Sequence, residues 1–171
     1  RTPDSMAHEQ LPDPWRLEAR DGQRILDTPQ EQGFDDVVRL ACTLCETPVA
    51  LVSFVGIDRQ WFKARAGMMD TQTGLESSVC AHGLAQSELL VVCDLTQDER
   101  TRNNPLVTGV AGMRFYAGAP LRTEQGHNLG MLCVLDTAPR PDGLSDAQAQ
   151  ALQMLARQVM TLLELRRSYR D

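Results

Sequence analysis

The sequence predicts an α+β domain in which helices cover an antiparallel sheet. Three observations support this fold class: strand-like segments come in hairpins, the longest helical patterns lie near the two ends of the chain, and strands do not alternate regularly with helices. The last observation excludes a doubly wound parallel sheet. With 171 residues, of which 42% are hydrophobic and 23% charged, the chain has the size and composition of one globular domain.

The N-terminal part of the sequence is polar before it becomes periodic. Residues 1–13 contain two prolines and show no hydrophobic periodicity, so we expect a disordered leader there. The domain itself is predicted to occupy residues 14–170. A short helix is expected from Pro14 onward, although Gly22 weakens its middle.

A stronger helix signal follows. Thr28 is placed to be an N-cap, Pro29 occupies the first helical position, and Glu31 completes a capping box. The helix is predicted to run to about Leu44. Apolar residues at three- and four-residue spacing form its buried stripe: Phe34, Val37, Val38, Ala41, Leu44 and Cys45.

Two strands and a turn come next. Val49–Ile57 is rich in β-branched residues, Asp58 and Arg59 form a tight turn, and Gln60–Ala66 alternates as the paired strand. In that second strand Trp61 and Phe62 are expected on opposite faces. A polar loop over residues 67–74 and a short helix over residues 77–86 are predicted to follow.

The second half of the sheet is predicted from three further strands. Leu89–Leu95 is the first, and a loop with a turn or two of helix follows over residues 96–112. Phe115–Leu121 and Leu129–Leu135 form a hairpin, in whose turn Gly126 can adopt a positive φ.

The last predicted element is a long helix over residues 145–169. Ser145 and Gln148 form a second capping box, and the apolar positions that follow are Leu152, Leu155, Val159 and Leu162. Its predicted length of about 36 Å exceeds what one small domain needs to cover its core. We therefore expect part of this helix to find a partner, a second copy of the chain being the simplest.

Composition excludes several classes of function. With a net charge of −6, the chain is not expected to have the concentrated basic face that nucleic acids require. No apolar run approaches the ~20 residues that span a bilayer. The five cysteines are odd in number and lie in apolar surroundings, which indicates reduced and mostly buried thiols. These features predict a soluble cytoplasmic protein that binds neither nucleic acid nor membrane.

Several segments together resemble a known family. In chain order they are RILDTPQEQGFDDVVRLA, TPVALVSFV, DRQWFKARAG, VCAHGL, NNPLVTG, RFYAGAPL and GMLCVLD. They resemble a bacterial subgroup of GAF sensory domains, over about residues 16–167, of the kind found upstream of diguanylate cyclases and histidine kinases. The resemblance implies a six-stranded antiparallel sheet between helical layers, with the terminal helices packed together. It also implies a small-molecule pocket closed by residues 77–113, and helices that pair two protomers and pass a signal onward to an output domain.

The candidate site residues lie on that pocket side. Arg114 and Tyr116 would place a cation and a phenol at the pocket floor, which suits a small anionic or aromatic ligand. The segment from Asp94 to Asn104 is either a solvated loop or a cover whose polar groups meet the ligand. The predicted pocket set is Cys80, His82, Asp94, Arg100, Asn103, Asn104, Arg114 and Tyr116.

Thiol chemistry is the main alternative to a binding function. Cys80, near His82 at a helix start, either is reactive or packs into the pocket floor. The free methionine-(R)-sulfoxide reductases, enzymes on a GAF scaffold, look similar around Cys80. Their principal catalytic cysteine would fall within residues 103–114, which contain none. A thiol enzyme or redox sensor using Cys80 with Cys93 therefore stays the alternative, beside a pure dimerisation module with a collapsed pocket.

Other cofactors find little support in the sequence. Cys42 and Cys45 form a CxxC pair late in a helix, where core packing explains them better than redox chemistry, and no second pair completes a zinc site. His82 is the one pocket histidine that haem would need, and the bilin attachment pattern is missing. We predict no metal site and assign no cofactor. The resulting hypothesis is a non-catalytic sensory domain with an unidentified small-molecule ligand.

Overall fold

The computed structural model describes residue 25 and residues 27–56, 59–70, 72–74 and 88–168. Within them the chain forms a six-stranded sheet in the order β3-β2-β1-β6-β5-β4, and each neighbouring pair is antiparallel. This confirms the predicted α+β class. The elements are α1 (Gln32–Cys45), β1 (Val49–Val55), β2 (Arg59–Ala66), β3 (Gln72–Gly74), β4 (Leu90–Val92), α2 (Pro105–Thr108), β5 (Phe115–Arg122), β6 (Asn128–Asp136) and α3 (Asp146–Ser168).

The sheet separates two apolar clusters. The larger lies between the sheet and the antiparallel pair α1 and α3, and includes Trp61; the smaller lies on the opposite face and includes Phe62. Trp61 and Phe62 therefore face opposite sides, as the strand period predicts. Every residue of β1 is buried, because this strand is paired on both edges and covered on both faces.

The first helix begins later than the capping motif predicts. Its N-cap position is Glu31, which makes no side-chain cap hydrogen bond. Thr28 does not cap the helix: its hydroxyl donates to the Ile25 carbonyl at 2.6 Å and accepts from Lys63 at 2.8 Å. The capping prediction was wrong because Lys63, distant in sequence, takes up the polar groups that would otherwise have capped the helix.

One residue of the predicted stripe of α1 lies outside the core. Phe34, Val38, Ala41 and Cys45 are buried, whereas Leu44 is 45% exposed. Leu44 and Cys45 lie about 100° apart around the helix, and the sheet is on the side of Cys45. Leu44 and Cys45 both fit the helical spacing of apolar residues, so only the position of the sheet decides which of the two is buried.

The predicted loop over residues 67–74 contains the third strand. Gln72–Gly74 pairs with the start of β2, Thr73 lying opposite Gln60, and completes the six strands. A three-residue polar edge strand carries too little hydrophobic pattern to be recognised locally. Arg59, predicted in a turn, is the first residue of β2.

The fourth strand is shorter than predicted and ends at Val92. Two residues later the Asp94 carboxylate accepts hydrogen bonds from the Thr96 amide at 3.0 Å and the Thr96 hydroxyl at 2.6 Å. This Asx-type turn redirects the chain before the predicted end at Leu95.

The local signals in the C-terminal half are confirmed. Gly126 has φ +86° in the β5–β6 turn, and a single turn of helix, α2, lies within the predicted 96–112 loop. The capping box of α3 is reciprocal: Gln148 N donates to Ser145 Oγ at 3.1 Å, and Ser145 N donates to Gln148 Oε1 at 3.0 Å.

Some predictions fall outside the described residues. These concern the leader, the short helix from Pro14, Asp58, the helix over residues 77–86 and Tyr169. Across the part of the chain that is described, no helix is both long and apolar enough to cross a membrane.

Candidate functional site

The candidate site lies on the sheet face opposite the two long helices. The apolar cluster there contains Leu51, Phe62, Tyr116 and Met131 from the strands, and Leu95, Val107 and Met113 from the segment that covers them. That covering segment, residues 93–113, is irregular apart from α2. A rigid sheet under an irregular cover is a common architecture for ligand sites.

Asp94 and Arg114 are brought together at the edge of this cluster. The Leu95 amide donates to the Arg114 carbonyl at 2.6 Å, which joins the two backbones. Hydrogen bonds from the Thr96 hydroxyl and amide, with a smaller contribution from the Arg114 charge, hold the pKa of Asp94 below its ordinary value. The carboxylate is therefore ionised at neutral pH.

Arg114 also ties the cover to the sheet. One of its guanidinium nitrogens, Nη1, donates to the carbonyl oxygens of Val107 at 3.0 Å and Met113 at 2.9 Å. Arginine carries five N–H donors in a fixed fork, and these two hydrogen bonds use only the donors of Nη1. The residue is thus both a structural tie and a half-buried cation beside Asp94.

Tyr116 lies inside the cluster rather than at an open floor. It is 1% exposed, and a Cβ atom at Gly118 would come 2.5 Å from its hydroxyl. Gly118 therefore leaves the space in which the phenol rests. That Tyr116 lies at the floor of a ligand pocket stays a prediction.

The remaining described candidates have local partners. Asn104 is buried and caps α2, its Oδ1 accepting from the Leu106 amide at 2.9 Å. Arg100 pairs with Asp98 through Nε at 3.0 Å and Nη2 at 2.8 Å, on the exposed side of the segment. Asn103 is also exposed. The structure thus places Asp94 beside Arg114, puts Tyr116 in the apolar cluster on the same face of the sheet, and leaves Arg100 and Asn103 toward solvent.

The structure describes only some of the cysteine and histidine side chains that the thiol hypothesis names. Cys80 and His82 lie outside the described residues. Cys93 is half-buried, Cys133 is buried within the second cluster, and neither forms a disulfide. In the described ranges, no group of three or more His, Cys, Asp or Glu side chains is placed to hold a metal ion.

Cys42 and Cys45, the CxxC pair, lie in the last turn of α1. Burial raises the pKa of both Cys42 and Cys45. A raised pKa means little thiolate at neutral pH, and thiolate is the reactive form. Both residues are free, which fits the prediction of packing thiols.

Sequence reasoning missed the most unusual polar group of the protein, Lys63. It is the one lysine of the chain, and its side chain is fully buried on the helix side of the sheet. The strand alternation places it there, on the side of Trp61 and opposite Phe62. Lys63 is also the extra residue of a β-bulge, since Val52 pairs with Ala64 and Ser53 with Phe62. A lysine inside an apolar strand was the available signal, but its partners come from other elements.

A separate groove lies on the helix side of the sheet, away from the candidate site. Its volume is about 620 Å³, between α3 and the end of the β5–β6 hairpin. Its floor is apolar and its rim carries charges of both signs. The lining residues include Ala119, Arg122, Glu124, Ala156, Arg157 and Leu165.

Comparison with known proteins identifies the family. The sequence model of the GAF domain matches residues 30–163, which is most of the chain. The chain belongs to the GAF domain family. This GAF domain is 39% identical over 144 residues to a cyclic di-GMP phosphodiesterase of Pseudomonas aeruginosa. The match covers 84% of this chain but only 24% of that relative, so the chain corresponds to about a quarter of the longer protein.

Solved structures share the fold of this GAF domain at low identity. A GAF domain from a phosphoenolpyruvate-protein phosphotransferase of Coxiella burnetii superimposes with a TM-score of 0.67 and 15% identity, covering 91% of this chain and 95% of that one. The free methionine-R-sulfoxide reductase from Neisseria meningitidis, solved with its substrate, gives a TM-score of 0.61 and 16% identity, with 91% of each chain covered. At such identities the likeness establishes the fold alone.

Proposed function

We propose that this chain is a sensory GAF domain of bacterial signal transduction that binds a small molecule without transforming it. The observation that carries the proposal is the covering of the two sheet faces: long helices on one, an irregular polar segment on the other. Irregular segments over a rigid sheet can adjust to a ligand, whereas a packed helical layer resists it.

The proposed ligand site is the region around Tyr116, Arg114 and Asp94. The phenol and the surrounding apolar cluster suit a flat or aromatic body, and the Arg114 guanidinium suits an anionic group. Cys80 and His82 are included in the proposed pocket from the sequence resemblance, as are Asn104, Asn103 and Arg100 of the cover. The ligand itself is unidentified.

Strand β5 is the proposed route from ligand to helix. Tyr116 faces the candidate site, while Phe115 and Ala117 on either side of it face the cluster under α1 and α3. Helix α3 packs on β5 along that cluster. Because packed layers move as units, a ligand that displaces Tyr116 would bias the position of α3.

A homodimer through the long helices is part of the proposal. Leu40 and Leu44 of α1 and Met154 and Leu165 of α3 are between 45% and 56% exposed. Exposed leucine and methionine side chains on a helix layer are favourable contacts for a second copy. Size-exclusion chromatography with light scattering should show a dimer that Leu40→Glu together with Leu44→Glu weakens. A wild-type monomer at high micromolar concentration would contradict it.

The setting of the domain is also proposed. The proposed output domain, to which α3 would transmit the signal, is a diguanylate cyclase, a histidine kinase or, following the Pseudomonas relative, a cyclic di-GMP phosphodiesterase. The cytoplasm is the proposed compartment, supported by the absence of a disulfide at Cys42, Cys45, Cys93 and Cys133.

Ligand binding can be tested without knowing the ligand. Native mass spectrometry of the freshly purified chain should reveal a bound small molecule, or a thermal-shift screen of small anionic and aromatic metabolites should find one that stabilises it. Arg114→Gln should weaken binding of that compound by about tenfold, the loss of one charge-assisted hydrogen bond. Arg102→Gln removes a charge from the exposed side of the same segment and should leave affinity unchanged. No bound mass and no stabilising compound would contradict the proposal.

Thiol enzymology is the alternative, carried by Cys80. Free methionine-(R)-sulfoxide supplied with dithiothreitol should show no turnover if the domain is purely sensory. Turnover that disappears in Cys80→Ser but persists in Cys133→Ser would establish the enzyme instead. In either case circular dichroism should show that the variants keep the fold.

A further inference from the structure

Glu31 binds two cations that come from distant parts of the sequence. Its Oε2 accepts a hydrogen bond from Lys63 Nζ of β2 and one from Arg166 Nε of α3, the latter at 2.8 Å. Residue 166 is 135 positions away from Glu31 in sequence. One carboxylate therefore connects the segment before α1, the sheet and the last turns of α3.

Lys63 makes this carboxylate hard to displace. Its other two bonds go to Thr28 Oγ1 at 2.8 Å and the Pro29 carbonyl at 2.7 Å, and its ammonium lies 5.3 Å from the centre of the Phe34 ring. Three bonds use all three protons of the ammonium. Because the Lys63 side chain has no exposed surface, withdrawing Glu31 would leave a buried charge without its contacting anion.

The 27–31 segment is held on the sheet at a second point. Arg59 binds the Asp27 carboxylate through Nη1 at 3.0 Å and Nη2 at 2.6 Å, and its Nη1 also donates to Gln72 of β3 at 2.5 Å. Arg59 and Lys63 lie four residues apart on the helix side of β2. The segment is thus fixed at both ends by strand cations.

The end of α3 depends on Glu31 in turn. Leu163 is the last buried residue of α3 among the residues described, and Leu162 packs on Gly33, where a Cβ atom would meet it at 3.2 Å. Arg166 lies nearly one turn beyond Leu163, and its side chain is only 13% exposed. Its bond to Glu31 therefore fixes the stretch of helix that extends past the core.

We propose that Glu31 is a positioning residue that couples the 27–31 segment to the C-terminal end of α3. A displacement of that segment carries Glu31 with it, breaks its hydrogen bond with Arg166 and loosens the last turns of the helix. Conversely, a shift of α3 moves Arg166, pulls the Glu31 carboxylate with it and weakens the hydrogen bond between Glu31 and Lys63. This inference rests on the proposed function only in taking α3 as the signalling helix; the coupling itself is a property of the ligand-free chain.

Hydrogen–deuterium exchange of the intact chain tests the coupling. Arg166→Gln and Glu31→Gln should each raise exchange at residues 160–168 by about tenfold, while residues 146–156 stay protected. Arg157→Gln on α3 and Glu99→Gln in an exposed loop are matched charge controls and should change neither region. Lys63→Met should raise exchange at residues 27–31, because it removes three of the hydrogen bonds that hold the segment, those to Thr28, Pro29 and Glu31.

Non-additivity distinguishes coupling from independent damage. If Glu31 acts through Arg166, the double variant Glu31→Gln with Arg166→Gln should exchange at residues 160–168 no faster than either single variant. Unchanged exchange in Glu31→Gln, or additive effects in the double variant, would overturn the inference. No ligand is used, so a failed ligand screen bears on the proposed function, whereas these exchange rates bear on the coupling.

Discussion

Gly130 of β6 lies so close to Ser53 of β1 that a Cβ atom at position 130 would overlap the Ser53 carbonyl oxygen. The obstacle is backbone of the central strand, which is paired on both edges and cannot withdraw. The absence of a side chain at Gly130 thus permits the β1–β6 ladder that joins the two halves of the sheet.

Gly130→Ala should therefore be strongly destabilising. We expect a loss of about 3 kcal/mol or more in the free energy of unfolding, measured by urea denaturation, because the overlap must be relieved by moving a strand. Gly118→Ala in the adjacent strand is the comparison variant: its new methyl meets side-chain atoms of Tyr116 and Met131 rather than backbone, so we expect a smaller loss. Equal losses in the two variants would contradict this explanation.

The capping box of α3 gives a second prediction. Ser145→Ala removes the acceptor of the Gln148 amide and should cost about 1 kcal/mol, or roughly 2–4 °C in the melting temperature. Gln150→Ala, at an exposed position of the same helix, should change the melting temperature little. A Ser145→Ala protein as stable as wild type would show that the cap contributes nothing to folding.

The ion pair between Arg140 and Asp136 should make a pH-dependent contribution to the free energy of unfolding. It donates to the Cys45 carbonyl at 2.7 Å, to the Glu46 carbonyl, and to the Asp136 carboxylate at 2.8 Å. Burial raises the pKa of Asp136, but hydrogen bonds from Arg140 and from backbone amides outweigh it, so the pKa lies below its ordinary value of 3.8. Ionised Asp136 consequently favours the folded state above that value, and this contribution disappears as the pH falls through the folded-state pKa.

Arg140→Gln should destabilise the protein by about 2–4 kcal/mol at pH 7, because it breaks charge-assisted bonds to two helix-end carbonyls and one carboxylate. The difference from wild type should narrow as the pH falls below 3.8, where Asp136 becomes protonated first in the unfolded chain and then, through its lowered pKa, in the folded one. Denaturant midpoints from pH 5 down to about pH 2 measure this narrowing, with Arg157→Gln as the exposed control. A difference that stays constant over that whole range would mean that the carbonyl bonds alone matter.

The thiols of α1 should react slowly. Burial raises the pKa of Cys42 and Cys45, so iodoacetamide at pH 8 should label them at least about tenfold more slowly in the folded chain than in guanidinium chloride. Peptide mapping by mass spectrometry reports each site separately. Labelling of Cys45 at the unfolded rate would contradict its assignment as a packing residue.

Part of the candidate site was predictable because its residues are close in sequence. Asp94, Asn104, Arg114 and Tyr116 all lie between residues 94 and 116, and the side-chain hydrogen bonds described for the first three span seven positions or fewer. What the sequence did not indicate is which of them point inward. Arg100 turns to Asp98 in its own loop, whereas Arg114 turns to the carbonyl of Val107.

The sequence by itself determined the features whose causes are local. The Ser145–Gln148 cap, the Gly126 turn, the alternation of Trp61 and Phe62 and the α+β order all follow from neighbours a few residues apart. Tertiary structure alone decided the third strand, the exposure of Leu44 and the later start of α1. It also decided the fate of Thr28 and Glu31, which bind Lys63 at separations of 35 and 32 residues. A buried ammonium must find its partners wherever the fold brings them, and that requirement overrides a local capping preference.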